Sequence, residues 1–417
     1  MTVLTVGAGQ SYKTIAAAVA AAHDGDVVKV AAGTYTNDFV TVNASITLQA
    51  VGGMVNMVAT ASPPDGKAIM TVNKSLTIDG FAFSGAKVAD HNGAGIRYQG
   101  GDLVIRNCYF HDNQEGILAA SNPSGHITID HSEFARNGYG DGYTHNLYVN
   151  KIASLTITDS YFHDAIVGHE IKSRADVTTI TNTRIFDLGS TASYSVDLPN
   201  GGKAVMANNT IQQGASSQNP YIVHFGGEGT PYAGSSLTMT NNMVLNDLHS
   251  GSAKLLLNQS GYTPVLQNTK VFGLDAGHLA TGTASIAGTS FLASEPALDT
   301  RSPFHPGVGY VDLGTAANQH LTASAAPDYF IFRGGSLGHD SIAGFSYAGG
   351  DRLDLTGLLG NVSHSVATLE QKGYLAVVQN GSAAEVQIDL AGNHHFTVLV
   401  DLAGLRASQL PSDFLLV

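Results

Sequence analysis

Apolar and polar positions alternate along most of this chain in short bursts, and one burst recurs. Leu103-Val104-Ile105-Arg106-Asn107-Cys108-Tyr109-Phe110 sets an apolar-x-apolar strand before a polar corner and a further apolar run. The same order returns in Ile127-Thr128-Ile129-Asp130-His131-Ser132-Glu133-Phe134, Leu155-Thr156-Ile157-Thr158-Asp159-Ser160-Tyr161-Phe162 and Thr178-Thr179-Ile180-Thr181-Asn182-Thr183-Arg184-Ile185. Weaker copies begin near Leu76, Ala204, Leu237 and Val265. The copies are spaced by roughly 23 to 33 residues, a solenoid repeat length. A period of two sends Leu103 and Ile105 to one face and their neighbours to the other. One repeat is too short to bury its apolar side alone, so repeats must stack. At the polar corner Asn107, Asn182, Asn208, Asn241 and Asn268 occupy equivalent places. Asparagine tolerates a bent backbone, and stacked amides there are predicted to hydrogen-bond along the axis. Cys108, Ser132, Ser160 and Thr183 form a small-residue stack beside them, so Cys108 reads as a packing residue.

The first residues predict an end cap. Ser11 is the expected N-cap of a helix over Tyr12-Lys13-Thr14-Ile15-Ala16-Ala17-Ala18-Val19-Ala20-Ala21-Ala22, stopped near Gly25 and covering the open end of the core. The run Val6-Gly7-Ala8-Gly9-Gln10-Ser11-Tyr12-Lys13-Thr14-Ile15, with Gly25-Asp26-Val27-Val28 and Gly33-Thr34-Tyr35, resembles the opening of pectate-lyase-like proteins. Ser302-Pro303 resembles the last coil of that superfamily. The resemblance implies an all-β, right-handed parallel β-helix over residues 1–312. The tail reads differently. Gly334-Gly335-Ser336-Leu337-Gly338-His339-Asp340-Ser341-Ile342 is a degenerate relative of the calcium-binding nonapeptide, and the chain ends Asp413-Phe414-Leu415-Leu416-Val417. Residues 313–417 thus resemble the C-terminal β domain of serralysin-type substrates of type I secretion. That implies a bacterial, extracellular protein whose partner in export is a type I (ABC) secretion apparatus.

Composition fits strands and turns better than amphipathic helices: 43% of residues are hydrophobic, only 13% are charged, and 48 are glycine. The formal net charge is −13, with no basic run, which argues against a nucleic-acid partner. A lone cysteine excludes an internal disulfide framework. Met1-Thr2-Val3-Leu4-Thr5-Val6 lacks the basic start and apolar stretch of a signal peptide, and no run reaches the roughly 20 apolar residues of a membrane helix.

Aligning the coils predicts one strand of each in register, with Ile96, Ile117, Leu147, Ile171, Val196 and Val223 inward. Arg97, Leu118, Tyr148, Lys172, Asp197 and His224 then form an outward row just after them. Gly95, Gly116, Asn146, Glu170, Ser195 and Ile222 form another just before, and Asn150 and Arg174 a third. The densest segment is Gly168-His169-Glu170-Ile171-Lys172-Ser173-Arg174, in which Glu170, Lys172 and Arg174 are expected to face outward together. Such a mixture suits β-elimination from an acidic, uronate-containing polysaccharide. That reaction needs the carboxylate neutralised, a base for the C5 proton and an acid for the leaving oxygen. Lys172 is the candidate base, with Arg174 alongside and partial desolvation disfavouring its charged form. Arg174 can grip the carboxylate in bidentate fashion, and Tyr148 can supply the proton. His145 is the histidine expected to enter the groove, while His169 should turn inward or along the corner. His111-Asp112 and His163-Asp164 read as a repeated corner. Arg97, Asn146, Asn150, Ser195 and His224 are candidate substrate contacts.

Glu170-Ile171-Lys172-Ser173, with Asn182-Thr183 and Asn208-Asn209-Thr210, resembles the family-six polysaccharide lyases (chondroitinase B and alginate lyases). The resemblance implies Lys172 as base and Ca²⁺ as cofactor with Glu170 among its ligands. The family's later arginine has no counterpart, because Asp197 lies in that region. Three other readings stand beside the lyase. One is a glycoside hydrolase using Glu170 and Asp197 as an acid/base pair roughly 7–9 Å apart. The others are a C5-epimerase sharing the first proton abstraction and a non-catalytic polysaccharide-binding protein.

Overall fold

The computed structural model describes residues 1–229, 231–248, 250–300, 302, 309–312, 318–323, 327–332, 338–359, 365–391, 393 and 395–416. Pro303, Gly334–Leu337 and Val417, used above in the sequence resemblances, lie outside the described residues. The chain forms two compact units, Met1–Val51 with Val55–Phe304, and Gly52–Met54 with His305–Val417. The division falls before the expected 312/313 boundary because Gly309–Asp312 pairs as a strand with Asp328–Ile331 of the second unit.

Each central coil of the first unit has three short strands. Leu103–Arg106, Tyr109–His111 and Glu115–Ala119 make one such coil. Every strand pairs in parallel with its equivalent one coil on, as in Leu103↔Ile127↔Leu155. Two faces merge into a 21-stranded sheet, and the third is a separate 10-stranded sheet. The architecture is a right-handed parallel β-helix.

The strands of the separate sheet are β1 (Val40–Val42), β2 (Ala68–Val72), β3 (Ala94–Tyr98), β4 (Glu115–Ala119) and β5 (Leu147–Val149). They continue as β6 (Ile171–Ser173), β7 (Val196–Leu198), β8 (Tyr221–Phe225), β9 (Lys254–Asn258) and β10 (Ala280–Thr281).

Inside the coils like stacks on like. The rings of Phe83, Phe110, Phe134 and Phe162 lie nearly parallel, with successive centroids 5.0, 4.6 and 4.5 Å apart. The open end of this core is closed by α1 (Ile15–Ala21), which buries Ile15, Ala18 and Val19. Its cap is Thr14, not the expected Ser11. The Thr14 hydroxyl accepts from Ala17 N at 3.2 Å, and the Asp38 carboxylate accepts from Ile15 N and Ala16 N at 2.5 and 3.0 Å. Asp38 satisfies two of the free N–H groups at a helix start, which moves that start four residues past Ser11.

The corner corrects a second expectation. Asn107, Asn182, Asn208, Asn241 and Asn268 all take left-handed backbone, φ 50–58°, as do His131 and Asp159 in the intervening coils. The regular axial ladder, however, runs one residue later. Cys108 N donates to Ser132 Oγ, Ser132 N to Ser160 Oγ, Thr183 N to Asn209 Oδ1, and Asn209 N to Asn242 Oδ1, all at 2.9–3.1 Å. Asn182, Asn208, Asn241 and Asn268 are exposed, whereas Asn107 is buried and donates to Asp79 Oδ1 of the preceding coil at 2.6 Å. Cys108 is buried, and burial pushes its thiol up, consistent with a packing role.

The second unit has its own core of Phe330, Phe332, Ile342, Phe345, Leu353, Leu402, Phe414 and Leu415, among others. The final strand, Leu415–Leu416, pairs with Arg352–Asp354, so the chain end is part of that core.

Asn209→Ala should cost about 1–3 kcal/mol in chemical denaturation, because the buried Thr183 N–H loses its acceptor. Asn182→Gly should stay within about 0.5 kcal/mol of the parent, since glycine accepts the left-handed corner. Equal losses at the two positions would contradict this division of labour.

Candidate active site

The register of the separate sheet is as expected from the sequence. Ile96, Ile117, Leu147, Ile171, Val196 and Val223 pair across β3 to β8 and are fully buried. Arg97, Leu118, Tyr148, Lys172, Asp197 and His224 are therefore consecutive neighbours on the outer face.

Asp197 is the hub. Its Oδ2 lies 2.6 Å from Lys172 Nζ and 3.4 Å from His169 Nε2, and its Oδ1 lies 2.7 Å from His224 Nδ1. Burial opposes ionisation of Asp197, but the His224 hydrogen bond, with His169 and Lys172 close by, overcomes it. The carboxyl is held well below its ordinary range. His224 also faces Gln259 Oε1 at 3.1 Å.

Lys172 has a second anion, Glu228 Oε1, at 3.1 Å. The other Glu228 oxygen pairs with Arg174 Nη2. Arg174 donates from Nε to the Tyr148 hydroxyl at 3.1 Å and from Nη1 to Asn200 Oδ1 at 2.7 Å. Asn200 in turn donates to the Glu228 carbonyl at 2.7 Å, and Tyr232 OH donates to the Arg174 carbonyl at 3.0 Å. One carboxylate is thus shared by two cations, with a phenol oxygen on the same guanidinium. Glu228 reaches them from the turn after β8, where Gly226, Gly227 and Gly229 have φ of 85°, 101° and 73°. A side chain at Gly227 would meet Gln259 Oε1 at 2.4 Å and His224 Nε2 at 2.8 Å, so this turn requires glycine.

Histidines back the row. His145 and His169 stack with centroids 4.6 Å apart, and His145 lies 5.8 Å from the Tyr148 ring. His145 Nδ1 accepts from His169 N at 3.0 Å and His169 Nδ1 from Tyr194 N at 3.2 Å. Each neutral ring therefore carries its proton on Nε2. Burial pushes His145 well below its usual range and His169 down to about 4. His169, expected to turn away, belongs to the Asp197 cluster, and His145 stands behind the groove with its ring buried.

Three expected groove residues lie instead in a buried seam at the second corner. Asn113, Asn137, Asn146 and Glu170 form a ladder there. Asn113 N donates to Asn137 Oδ1, Asn137 N to Asn146 Oδ1, and Ala165 N to Glu170 Oε1, while Asn146 Nδ2 donates to Glu170 Oε2. The coil bearing Ala165 has no asparagine at that place, so Asn146 and Glu170 reach in to replace it. Ser195 donates to Asp187 Oδ1 at 3.3 Å, and Asp187 Oδ2 also accepts from Gly214 N and Ser217 Oγ. Burial, with the neighbouring Asp187, pushes Glu170 well above the carboxylate range, and burial pushes Asp187 up to about 7. The position of Glu170 faces inward in the other coils too, against the outward row expected: Gly95 and Gly116 abut the core phenylalanines and Ile222 is in the core. Asn150 is half-buried and accepts from Lys151 N at 2.8 Å. His111 and His163 each bond the following aspartate at 2.7 Å, the repeated corner expected of them.

These donors do not fit a calcium ion. Both Glu170 oxygens serve the seam, and the Asp197 and Glu228 carboxylates face cations. Among the described residues, histidine and carboxylate atoms close enough to share an ion occur at Asp130, His131 and Asp159, on the first corner.

Glu228, Asn200, Tyr194 and Gln259 were not singled out from the sequence, and His169 was expected to point away from the groove. Glu228 lies 56 residues from Lys172, and its one local signal is the Gly226-Gly227-Glu228-Gly229 cluster.

The family described as the right handed beta helix region matches residues 68–244. That span holds the whole row from Arg97 to His224, and Glu228. Among solved structures, pectate lyase Pel9A is similar at 15% identity and TM-score 0.48, over 70% of this chain and 78% of that one. An alginate lyase from Paenibacillus sp. str. FPU-7 is similar at 16% and 0.46, over 70% and 99%. A pectin methylesterase from Aspergillus niger is similar at 14% and 0.35, over 71% and 91%. No curated protein sequence matches.

Asp187 binds its proton more tightly folded than unfolded, so its contribution to stability should fall as pH rises from about 4 to about 7 and level off above. Asp187→Asn keeps an acceptor for Gly214 and Ser217 and should flatten that decline in urea melts across the same range. An unchanged slope would show that Asp187 titrates normally.

Proposed function

We propose that the groove binds an acidic, uronate-containing polysaccharide and cleaves it by β-elimination. The observation that carries this reading is the Glu228 carboxylate held between Lys172 and Arg174 with the Tyr148 phenol on the same guanidinium. A substrate uronate would put its own carboxylate where Glu228 now reaches. Neutralising that group acidifies the C5 proton, because charge developing at C5 spreads onto it. Placed between the Asp197 and Glu228 carboxylates, Lys172 is positioned for that neutralisation, in place of the base role expected from the sequence. Tyr148 is then the proton-transfer group. Its oxygen, accepting from Arg174, takes the C5 proton as phenolate, the C4–C5 double bond forms and the C4–O4 bond breaks. The phenol returns the proton to the departing O4. Hydrolysis by Glu170 and Asp197 has less support, since Glu170 is committed to the seam.

Action outside the cell after type I export belongs to the same proposal and is supported by the sequence of the C-terminal unit. In the folded unit Phe414 and Leu415 are buried, so recognition of the end would precede folding.

The full chain incubated with polygalacturonate, alginate and glycosaminoglycan uronates should release products with the ultraviolet absorbance of a 4,5-unsaturated uronate. Tyr148→Phe should lower kcat by about 10²–10⁴-fold. New reducing ends without that absorbance would establish hydrolysis, and solvent exchange at C5 without cleavage would establish epimerisation. Glu228→Ala should lower KM several-fold with a smaller change in kcat, because the competing carboxylate is gone. A large fall in kcat at unchanged KM would instead place Glu228 in the chemistry.

A further inference from the structure

Arg97 has an unusual position. It is half-buried on the outer face of β3, between Thr71 of β2 and Leu118 of β4. Its Nε is buried without a hydrogen-bond partner, and among the described residues the guanidinium makes no ion pair. A guanidinium is a fork of five donors, and leaving its buried Nε unused is costly. Burial disfavours its charge and outweighs the pull of Glu115 and Asp65, neither of which accepts a hydrogen bond from it. Asp65 accepts from Lys67 N, Ala68 N and the Thr71 hydroxyl, turned into its own turn. Glu115 is buried, accepts from His145 N, and is pushed by burial well above the carboxylate range.

The floor between Arg97 and the Lys172–Arg174 pair is apolar. Leu118 packs with Ala68 and Ala94, and Tyr148 packs against them. Arg97, Leu118, Tyr148 and Lys172 are successive in register, so three strand spacings separate the cationic positions, about 14 Å. A pyranose in an extended 1,4-linked chain advances by about one such spacing. An acidic polymer lying along the row would rest ring faces on Leu118 and Tyr148 and bring a second carboxylate to Arg97.

We infer that Arg97 is a second carboxylate-binding position, three sugars from the Lys172–Arg174 pair, so that the groove selects a polyuronate segment of at least four units. The inference takes the chemistry of the polymer from the preceding section and adds its length and the spacing of its charges.

The test is calorimetric binding of oligogalacturonates and oligoguluronates, dimer to hexamer, to the full chain carrying Tyr148→Phe, which keeps the ring and prevents turnover. Affinity for at least one series should step up between trimer and tetramer. Arg97→Ala should lower the hexamer-to-dimer affinity ratio about tenfold, the value of one charge-assisted hydrogen-bonded contact. Arg97→Lys, which keeps the charge without the fork, should fall between. A carboxyl-reduced hexamer should show no dependence on residue 97. An unchanged ratio in Arg97→Ala, equal losses for dimer and hexamer, or no binding of either series would overturn the inference. A step that persists although the parent chain forms no unsaturated product would sink β-elimination alone. Product formation without the step would sink the role of Arg97 alone.

Discussion

No coil of this protein can bury its own apolar residues, and that constraint organises the rest. A strand of three to five residues presents one or two side chains inward, and these find their partners only in the coil before and the coil after. Parallel register is the sole arrangement that brings Ile117 onto both Ile96 and Leu147, or Phe134 onto both Phe110 and Phe162. Once the inner face is in register the outer face is too, because side chains alternate. The groove is therefore a by-product of core packing. Tyr148, Lys172 and Asp197 are aligned because Leu147, Ile171 and Val196 are.

On that platform the charges alternate. His224 and Lys172 flank Asp197, and Lys172 and Arg174 flank Glu228. Desolvation would make any one of the ions Asp197, Lys172, Glu228 and Arg174 costly alone, and alternation is what allows these four to crowd together beside His224. The strength differs along the chain of pairs. Asp197 is almost fully buried, whereas the Glu228 side chain is 47% exposed and sits on a glycine-flanked turn. The inner pair is thus fixed in place, and the outer one is exchangeable.

Register was legible in the sequence because it follows from period-two alternation, which is local. The row from Arg97 to His224 came directly from it. Alternation misled at the position before each inward residue: Asn146, Glu170 and Ser195 turn to the seam, and Gly95, Gly116 and Ile222 at the equivalent places face the core. There the backbone bends toward the seam, and hydrogen-bond demand from Ala165 and Asn137 decides the side-chain direction. The corner asparagines were placed correctly as bend residues, yet apart from Asn107, whose amide reaches Asp79 of the preceding coil, the regular ladder belongs to the next position. Glu228 was invisible for a different reason. It acts from a turn between strands, where no period relates residue number to direction.

A row built one residue per coil has a modular geometry. Two coils, those carrying Leu118 and Tyr148, separate Arg97 from Lys172, and nothing in the ladder depends on their number. Duplicating a whole coil there would lengthen the span by one strand spacing while leaving the Asp197 cluster intact, since its members come from β6, β7, β8 and the turns nearby. In a solenoid of this kind the length of polymer measured and the chemistry performed on it are separately adjustable, by inserting coils in the first case and by exchanging side chains in the second.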